Sequence, residues 1–257
     1  MTTAPHRPDF RVPDPLPYDP AGPGPDFELP PGLEAAEPPE ARGVARDQVR
    51  LLAAGQDGLA HATFAALGRF LSPGDLLVVN TSATLAAAID GQRPGGRPVV
   101  VHFSTQLDNG HWLAELRPPG RATGPVTDAT AGERITLPAG ASLVLEAAAG
   151  TRLWRARLAA EAEPHAYLAV HGRPISYAYL HRRWPLRDYQ TVFARDPGSA
   201  EMPSAGRPFS TALVTGLVTA GIVIAPITLH TGVSSLEAGE PPLPERFTAL
   251  GFEFQAG

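Results

Sequence analysis

The 257-residue sequence contains no cysteine, and this absence removes several kinds of chemistry at once. Disulfide bridges, cysteine-ligated zinc and thiol nucleophiles all require a cysteine sulfur. The sequence also has no apolar run long enough to cross a bilayer and no signal-peptide core at its N-terminus. We therefore predict a cytoplasmic protein that makes no contact with a membrane.

Basic charge is scarce as well. Lys and Arg together number 21 against 26 Asp and Glu, which gives a net charge of -5. Surfaces that bind nucleic acid are normally basic, so any RNA contact would have to come from local clusters of arginine. The sequence also lacks a Gly-x-Ser-x-Gly elbow, a His-Glu-x-x-His motif and a P-loop, so no common hydrolase signature is present.

Proline and glycine are abundant, at 29 and 26 residues, and favour short strands joined by turns. A series of apolar runs separated by Gly, Pro or Asn-Gly turns, such as Asp108–Gly110, predicts a small antiparallel barrel or sandwich. His102, His111 and Trp112 fall among these runs, and we expect structural roles for them. The predicted strands are 98–103, 112–116, 133–137, 142–147 and 153–158.

Helix signals surround this region on both sides and predict a mixed α/β first domain with an inserted small antiparallel β-barrel domain. We place the first domain at 26–70 and 162–257 and the barrel at 71–161. Residues 1–25 are predicted to be a poorly ordered lead-in. Ser72–Asp75 predicts a turn, and Leu76–Asn80 predicts a buried strand.

A helix–strand unit follows near the C-terminal end of the sequence. Ser210 or Thr211 can cap a helix, residues 213, 214, 217 and 218 share one apolar face, and Gly221 suits the left-handed residue that ends it. Ile222–Leu229 is rich in β-branched residues and predicts a buried strand.

The candidate site lies around this unit, because ligands bind at the carboxyl ends of strands in open α/β sheets. His230 follows the strand and titrates near neutral pH, so it is the best candidate for proton transfer, although a structural role is equally compatible. The loop before the helix offers backbone N–H groups that can hold an anion. The predicted ligand-binding residues are Tyr189, Gln190, Thr191, Pro203, Ser204, Ala205, Gly206, Thr231 and Gly232.

Two clusters of arginine are candidates for phosphate or RNA contacts. One is Arg46 with Arg50, which surface ion pairs explain equally well. The other is Arg182, Arg183 and Arg187 around Trp184, a combination that can grip phosphates and stack a base. A solvated loop paired with carboxylates is the alternative for the second cluster.

The same residues resemble the S-adenosylmethionine:tRNA ribosyltransferase-isomerase family. Tyr189–Ala194 reads YQTVFA against the family's YQTVYA, Pro203–Gly206 against Pro-Thr-Ala-Gly, and Thr228–Gly232 reads TLHTG against Thr-Leu-His-Val-Gly. Phe27–Pro30 and the segment around Asn80 are similar to further family motifs. Ser204 replaces a threonine, Arg207-Pro208 replaces Leu-His, and the arginine expected near Ser82–Ala83 is missing.

The resemblance implies a metal-free reaction of the queuosine pathway. S-adenosylmethionine donates its ribosyl part to a 7-aminomethyl-7-deazaguanine in tRNA, and adenine and methionine are released. The resemblance covers Phe27 to about Phe247, the N-terminal part of a typical member, so we expect weak or no ribosyl transfer to tRNA from this chain. The alternatives are a transferase acting on a small-molecule acceptor and a non-catalytic relative that binds nucleosides or RNA. A monomer is favoured.

Overall fold

The computed structural model describes residues 30, 35–55, 58–107, 110–120, 124–176, 180 and 182–233. The predicted lead-in, nearly all of the Phe27–Pro30 motif, and Asp108 with Asn109 lie outside these residues. In chain order the strands are β1 Arg50–Gly55, β2 Gly58–Thr63, β3 Leu76–Asn80, β4 Ser82–Thr84, β5 Ala88–Arg93, β6 Arg97–Gln106, β7 His111–Arg117, β8 Arg134–Thr136, β9 Ser142–Ala148, β10 Leu153–Ala159, β11 Asp196–Ser199 and β12 Val223–Ile227, and the α-helices are α1 Pro164–His171 and α2 Thr211–Thr219.

A closed antiparallel barrel is the main feature of the fold. Its strands follow the order β10-β7-β6-β5-β8-β9, and each one pairs with its neighbours in antiparallel register. Closure leaves no free sheet edge in this part of the chain. The prediction of an antiparallel barrel within a mixed α/β chain is confirmed.

The barrel interior is filled by side chains that alternate along the strands. Phe103 and Trp112 meet edge to face, with ring centroids 5.3 Å apart. Gly91 lets β5 approach β8 closely, because a Cβ at this position would lie 2.9 Å from Ile135 Cγ2. Each large side chain buried here contributes roughly 1.5–3 kcal/mol. Those no more than 1% exposed are Ile89, Val99, Val101, Phe103, Trp112, Leu116, Ile135, Leu143 and Leu145.

The chain divides into two compact units. One consists of residues up to Leu77 together with Pro208–Ile224, and the other of Val78–Arg207 with the chain from Ala225 onward. The barrel, β4, β11 and α1 belong to the second unit. The domain limits predicted from the sequence stay a prediction.

The first unit contains the β1–β2 hairpin and α2. Ser210 caps α2 by accepting a hydrogen bond from the Leu213 N–H at 3.1 Å, as predicted. Leu217 is buried, but Val218 is 53% exposed. The apolar face predicted for this helix is therefore buried at Leu217 and exposed at Val218. Gly221 has a φ of 84°, the left-handed conformation expected after the helix.

Strands β3 and β12 pair in a two-stranded sheet. Val79 is buried, whereas Leu76 is 61% and Val78 is 51% exposed, so the prediction of a fully buried strand is wrong for β3. An apolar run predicts burial on both faces only if the sheet is covered on both faces. Strand β12 is also shorter than the predicted Ile222–Leu229.

No helix in the described part of the chain is long and apolar enough to span a membrane. Among the same residues, no group of three or more His, Cys, Asp or Glu side chains could hold a metal ion.

Candidate functional site

Strand β4 joins the three predicted site segments. It pairs in parallel with β11, so that Ser82 lies opposite Asp196 and Thr84 opposite Ser199. Three residues give little pairing by themselves. Neighbouring side chains therefore help to fix the position of β4, and the Tyr189–Thr191 and His230–Gly232 segments supply some of them.

Gln190 holds the backbone of Thr84 with both ends of its amide. The Thr84 N–H donates to Gln190 Oε1 at 2.9 Å, and Gln190 Nε2 donates to the Thr84 carbonyl at 2.9 Å. The Thr84 hydroxyl donates to the carbonyl of Tyr189 at 2.9 Å. The Tyr189–Thr191 segment is thereby attached to the C-terminal end of β4.

The Pro203–Gly206 loop packs against this segment through Thr191, which is buried. A Cβ added to Gly206 would lie 3.1 Å from Thr191 Cγ2, so glycine allows the close approach. The loop is a single 3₁₀ turn in which the Gly206 N–H donates to the Pro203 carbonyl at 3.0 Å. That amide is therefore already used within the turn. Ser204 and Ala205 are exposed.

Asn80 fixes the other side of the site. Its side chain accepts from the Leu229 N–H at 3.0 Å and donates to the Leu229 carbonyl at 2.8 Å. The same oxygen accepts from the Ser82 N–H at 3.0 Å. The residue before His230 is thus held at the beginning of β4.

His230 reaches β4 through its ring. Its Nδ1 lies 2.7 Å from Ser82 Oγ, which in turn lies 2.5 Å from Ser199 Oγ. A Cβ at Gly198 would come within 2.3 Å of Nδ1, so only glycine lets the imidazole pack so closely on β11. The residue as a whole is exposed, and no described residue forms a hydrogen bond with its Nε2.

Thr231 and Gly232 continue along the barrel. The Thr231 hydroxyl donates to the Glu201 carbonyl at 2.6 Å, and its carbonyl accepts from the Ala200 N–H at 2.7 Å. A Cβ at Gly232 would lie 2.8 Å from Ser104 Oγ. The segment after His230 therefore lies directly against barrel strand β6.

Asp196 supplies negative charge beside these groups. Its hydrogen bond with Arg195, at 2.9 Å, is the main cause that lowers the carboxyl pKa, and weaker hydrogen bonds from Thr228 and Thr81 add to it. Partial burial of the ring lowers the pKa of His230, while the charge of Asp196 partly opposes this and His165 lowers the pKa further. The site therefore pairs an ionised carboxylate with an imidazole that resists protonation.

The arginine candidates are more dispersed. Arg182 lies over the Trp184 ring, 3.9 Å from its centroid, and Arg183 is exposed. Arg187 is 84% exposed and lies 3.9 Å from Asp188. These three share a unit with His230, whereas Arg46 and Arg50 belong to the other unit. Arg46 forms an ion pair with Glu40 at 3.3 Å.

Sequence reasoning missed the polar residues that hold the site together. Asn80 ends the predicted strand and Ser82 comes just after it, the position where ligand-side groups collect, and this was the available signal. Ser199 and Asp196 carried none, because their partners are distant in sequence.

His102 and His111 are buried beside Glu115 and Glu146 in the barrel.

Sequence comparison identifies the family of proteins to which this chain, with its barrel and β4-centred site, belongs. The profile of the family described as queuosine biosynthesis protein matches residues 25–242, and the chain belongs to this family.

The relatives that the chain matches include S-adenosylmethionine:tRNA ribosyltransferase-isomerases. The protein from Rubrobacter xylanophilus is 34% identical over 212 residues, and that from Thermotoga maritima is 30% identical over 210 residues. Each match covers 82% of this chain and 59% of the relative, so the chain spans less than two thirds of their length. A crystal structure of S-adenosylmethionine tRNA ribosyltransferase from Thermotoga maritima is 22% identical, with a TM-score of 0.31, and the match covers 80% of this chain and 57% of that chain.

Proposed function

We propose that this chain carries a nucleoside site for ribosyl transfer from S-adenosylmethionine to a 7-aminomethyl-7-deazaguanine in tRNA. The observation that supports the proposal most is the convergence on β4. Ser82 contacts His230 and Thr84 contacts Gln190, residues that are far apart in sequence, and the Pro203–Gly206 loop joins them through Thr191. Family membership then gives this cluster its chemistry.

Individual site residues can be matched to the charged groups of the proposed reaction. The sulfonium of S-adenosylmethionine is a cation, and Asp196, kept ionised by Arg195, provides the negative charge near His230. His230 presents Nε2 to the reacting nucleoside. The sulfonium acidifies the adjacent ribose carbon, so a base removes that proton while donors assist the departure of adenine. The reaction as proposed needs no metal.

The acceptor RNA is proposed to contact the Arg182–Arg187 segment. Arg182 already stacks on Trp184, and an aromatic ring beside guanidinium groups can accept a splayed base and its phosphates. Arg46 and Arg50 are retained as further candidates for phosphate contacts.

Adenine release tests the proposal directly. The purified chain is incubated with S-adenosylmethionine and tRNA that carries the aminomethyl-deazaguanine, and adenine and methionine are followed by chromatography. We expect tRNA-dependent release that is lost in His230→Ala. Release that requires an added small-molecule acceptor instead of tRNA would indicate the small-acceptor alternative. Binding of S-adenosylmethionine without any release would indicate a non-catalytic nucleoside-binding relative.

A further inference from the structure

Two buried hydroxyl groups form a series of hydrogen bonds that ends on His230. The Thr231 N–H donates to Ser199 Oγ at 3.0 Å. Ser199 Oγ and Ser82 Oγ lie 2.5 Å apart, and Ser82 Oγ lies 2.7 Å from His230 Nδ1. Both serines are 0% exposed, so solvent cannot supply another partner.

The donor and acceptor in each hydrogen bond of this series follow from the first bond, between the Thr231 N–H and Ser199 Oγ. A backbone N–H can only donate, so Ser199 Oγ acts as the acceptor of the Thr231 amide. The Ser199 O–H then needs an acceptor of its own, and in the described part of the chain Ser82 Oγ is the one within hydrogen-bond distance. Having accepted from Ser199, Ser82 directs its own proton to His230 Nδ1. The opposite direction would leave a buried hydroxyl unsatisfied, at a cost of about 1–3 kcal/mol.

We propose that His230 is held as the neutral imidazole with its proton on Nε2, and that it serves the site as a hydrogen-bond donor rather than as the base. A neutral imidazole has one donor nitrogen and one acceptor nitrogen. Nδ1 is the acceptor here, so Nε2 carries the proton. The role in the reaction rests on the proposed function, whereas the position of the proton does not.

The surroundings of the ring favour this state. Protonating Nδ1 would force the Ser82 hydroxyl to turn away, and Ser199 already donates to its oxygen. The charged or titratable groups that act on the ring are Asp196, which favours protonation, and His165, which opposes it. Burial outweighs Asp196 and lowers the pKa of His230. Packing against Gly198 holds the ring in place.

The Nε2–H donor of His230 limits which ligand atoms this residue can recognise. An Nε2–H group binds an acceptor atom, which on a nucleoside means a purine ring nitrogen or a ribose oxygen, and it discriminates against amino groups. The lone pair of Nδ1 is occupied by the Ser82 hydroxyl and Nε2 already carries a proton, so no basic nitrogen of this ring faces the nucleoside. The group that removes the ribose proton in the proposed reaction is therefore a residue other than His230.

The position of the proton can be measured without any substrate. The full chain is labelled with ¹⁵N, the imidazole resonances are recorded at neutral pH, and His230 is assigned from the signals lost in His230→Gln. We expect the Nε2–H tautomer. In Ser82→Ala both tautomers should be populated, whereas Ser82→Thr should restore the wild-type pattern. Ser104→Ala is the matched control, because Ser104 holds the Val233 N–H at 2.7 Å but makes no hydrogen bond with His230. An Nδ1–H tautomer, an imidazolium at neutral pH or an unchanged spectrum in Ser82→Ala would overturn the proposal.

Three substitutions test the role of the donor. The amide nitrogen of Gln can occupy the position of Nε2 and donate, but it cannot accept a proton. We expect His230→Gln to keep kcat/KM within about tenfold of wild type while His230→Ala and His230→Asn lose about 10²-fold or more, the loss typical of a missing donor at a reacting centre. Equal losses in all three variants would assign His230 as the base and refute the donor role. If the wild-type chain releases no adenine, the proposed function fails, and the NMR result still decides the tautomer.

Discussion

The Asn80 side chain hydrogen-bonds to both backbone polar groups of Leu229, a residue 149 positions away in the chain. The backbone of Leu229 thus pairs with a side chain much as it would pair with a neighbouring strand. Because Leu229 precedes His230, the Asn80 amide fixes the backbone position from which the His230 side chain extends.

Replacing Asn80 should therefore destabilise the site. Asn80→Ala removes the partners of the Leu229 N–H and carbonyl, and we expect a loss of about 1–3 kcal/mol in the free energy of unfolding. Asn80→Asp keeps the acceptor and loses the donor, so it should fall between alanine and wild type. Urea denaturation measures both variants. Thr219→Ala, which removes an exposed hydroxyl on α2, serves as the control, and a larger loss there than in Asn80→Ala would contradict this account.

Two glycine-to-alanine substitutions should act in opposite directions. Gly91→Ala places a methyl group 2.9 Å from Ile135 Cγ2 and should cost about 1–3 kcal/mol through overpacking of the barrel. Gly216→Ala lies inside α2, where no described residue outside the surrounding helix backbone comes within 4 Å of the new methyl group, and should stabilise the chain by about 0.5–1 kcal/mol. Thermal unfolding of both variants would show whether close approach rather than backbone freedom requires Gly91.

Removing Arg93 should be among the most damaging changes to the barrel. Its side chain is 5% exposed and forms an ion pair at 2.6 Å with Glu133, which is 7% exposed. Arg93→Ala leaves a buried carboxylate without its guanidinium and should cost about 3–5 kcal/mol. Arg97→Ala breaks an exposed pair with Asp128 and should cost about 0–1 kcal/mol. Similar losses in the two variants would show that burial does not control the strength of these pairs.

The same ion pair has a pH signature. The hydrogen bond from Arg93 is the main cause that lowers the pKa of Glu133 below 4.5, although burial opposes it. The stabilisation is therefore present above pH 4.5 and is lost as the pH falls through the lower folded-state pKa. Chemical denaturation of wild type and Glu133→Gln across this range should converge on acidification. A difference that widens instead would reverse the assigned sign.

His230 should likewise reduce stability on acidification, but over an interval that begins at higher pH. Its pKa in the folded chain is below the ordinary 6.5, so as the pH falls below 6.5 the unfolded chain binds a proton that the folded chain resists. The free energy of unfolding should therefore decrease until the pH reaches the folded-state pKa. His230→Gln removes this component, so wild type should lose stability relative to it over that interval. A relative gain for wild type on acidification would show that the pKa is raised.

The sequence predicts the barrel well because its information is local. Alternating apolar residues and turn residues predict five of the six barrel strands, and β5 is the one that they did not predict. The exposed Leu76 and Val78 show the limit of this reasoning, because a run of apolar residues does not reveal how many layers cover a sheet. The three site segments were found through their motifs. The contacts of Ser82 with Ser199 and with His230 join residues 117 and 148 positions apart, and no local pattern predicts them.

Parallel pairing of β4 with β11 has a consequence for the order of folding. The barrel strands all lie between these two strands in the chain, and they pair mostly with near neighbours in sequence. Contacts between distant residues form late, because the entropy of loop closure must be lost before they contribute. A chain emerging from the ribosome can therefore complete its barrel while Ser82 still lacks both hydroxyl and imidazole partners. An assembled imidazole site thus indicates that the barrel has already folded.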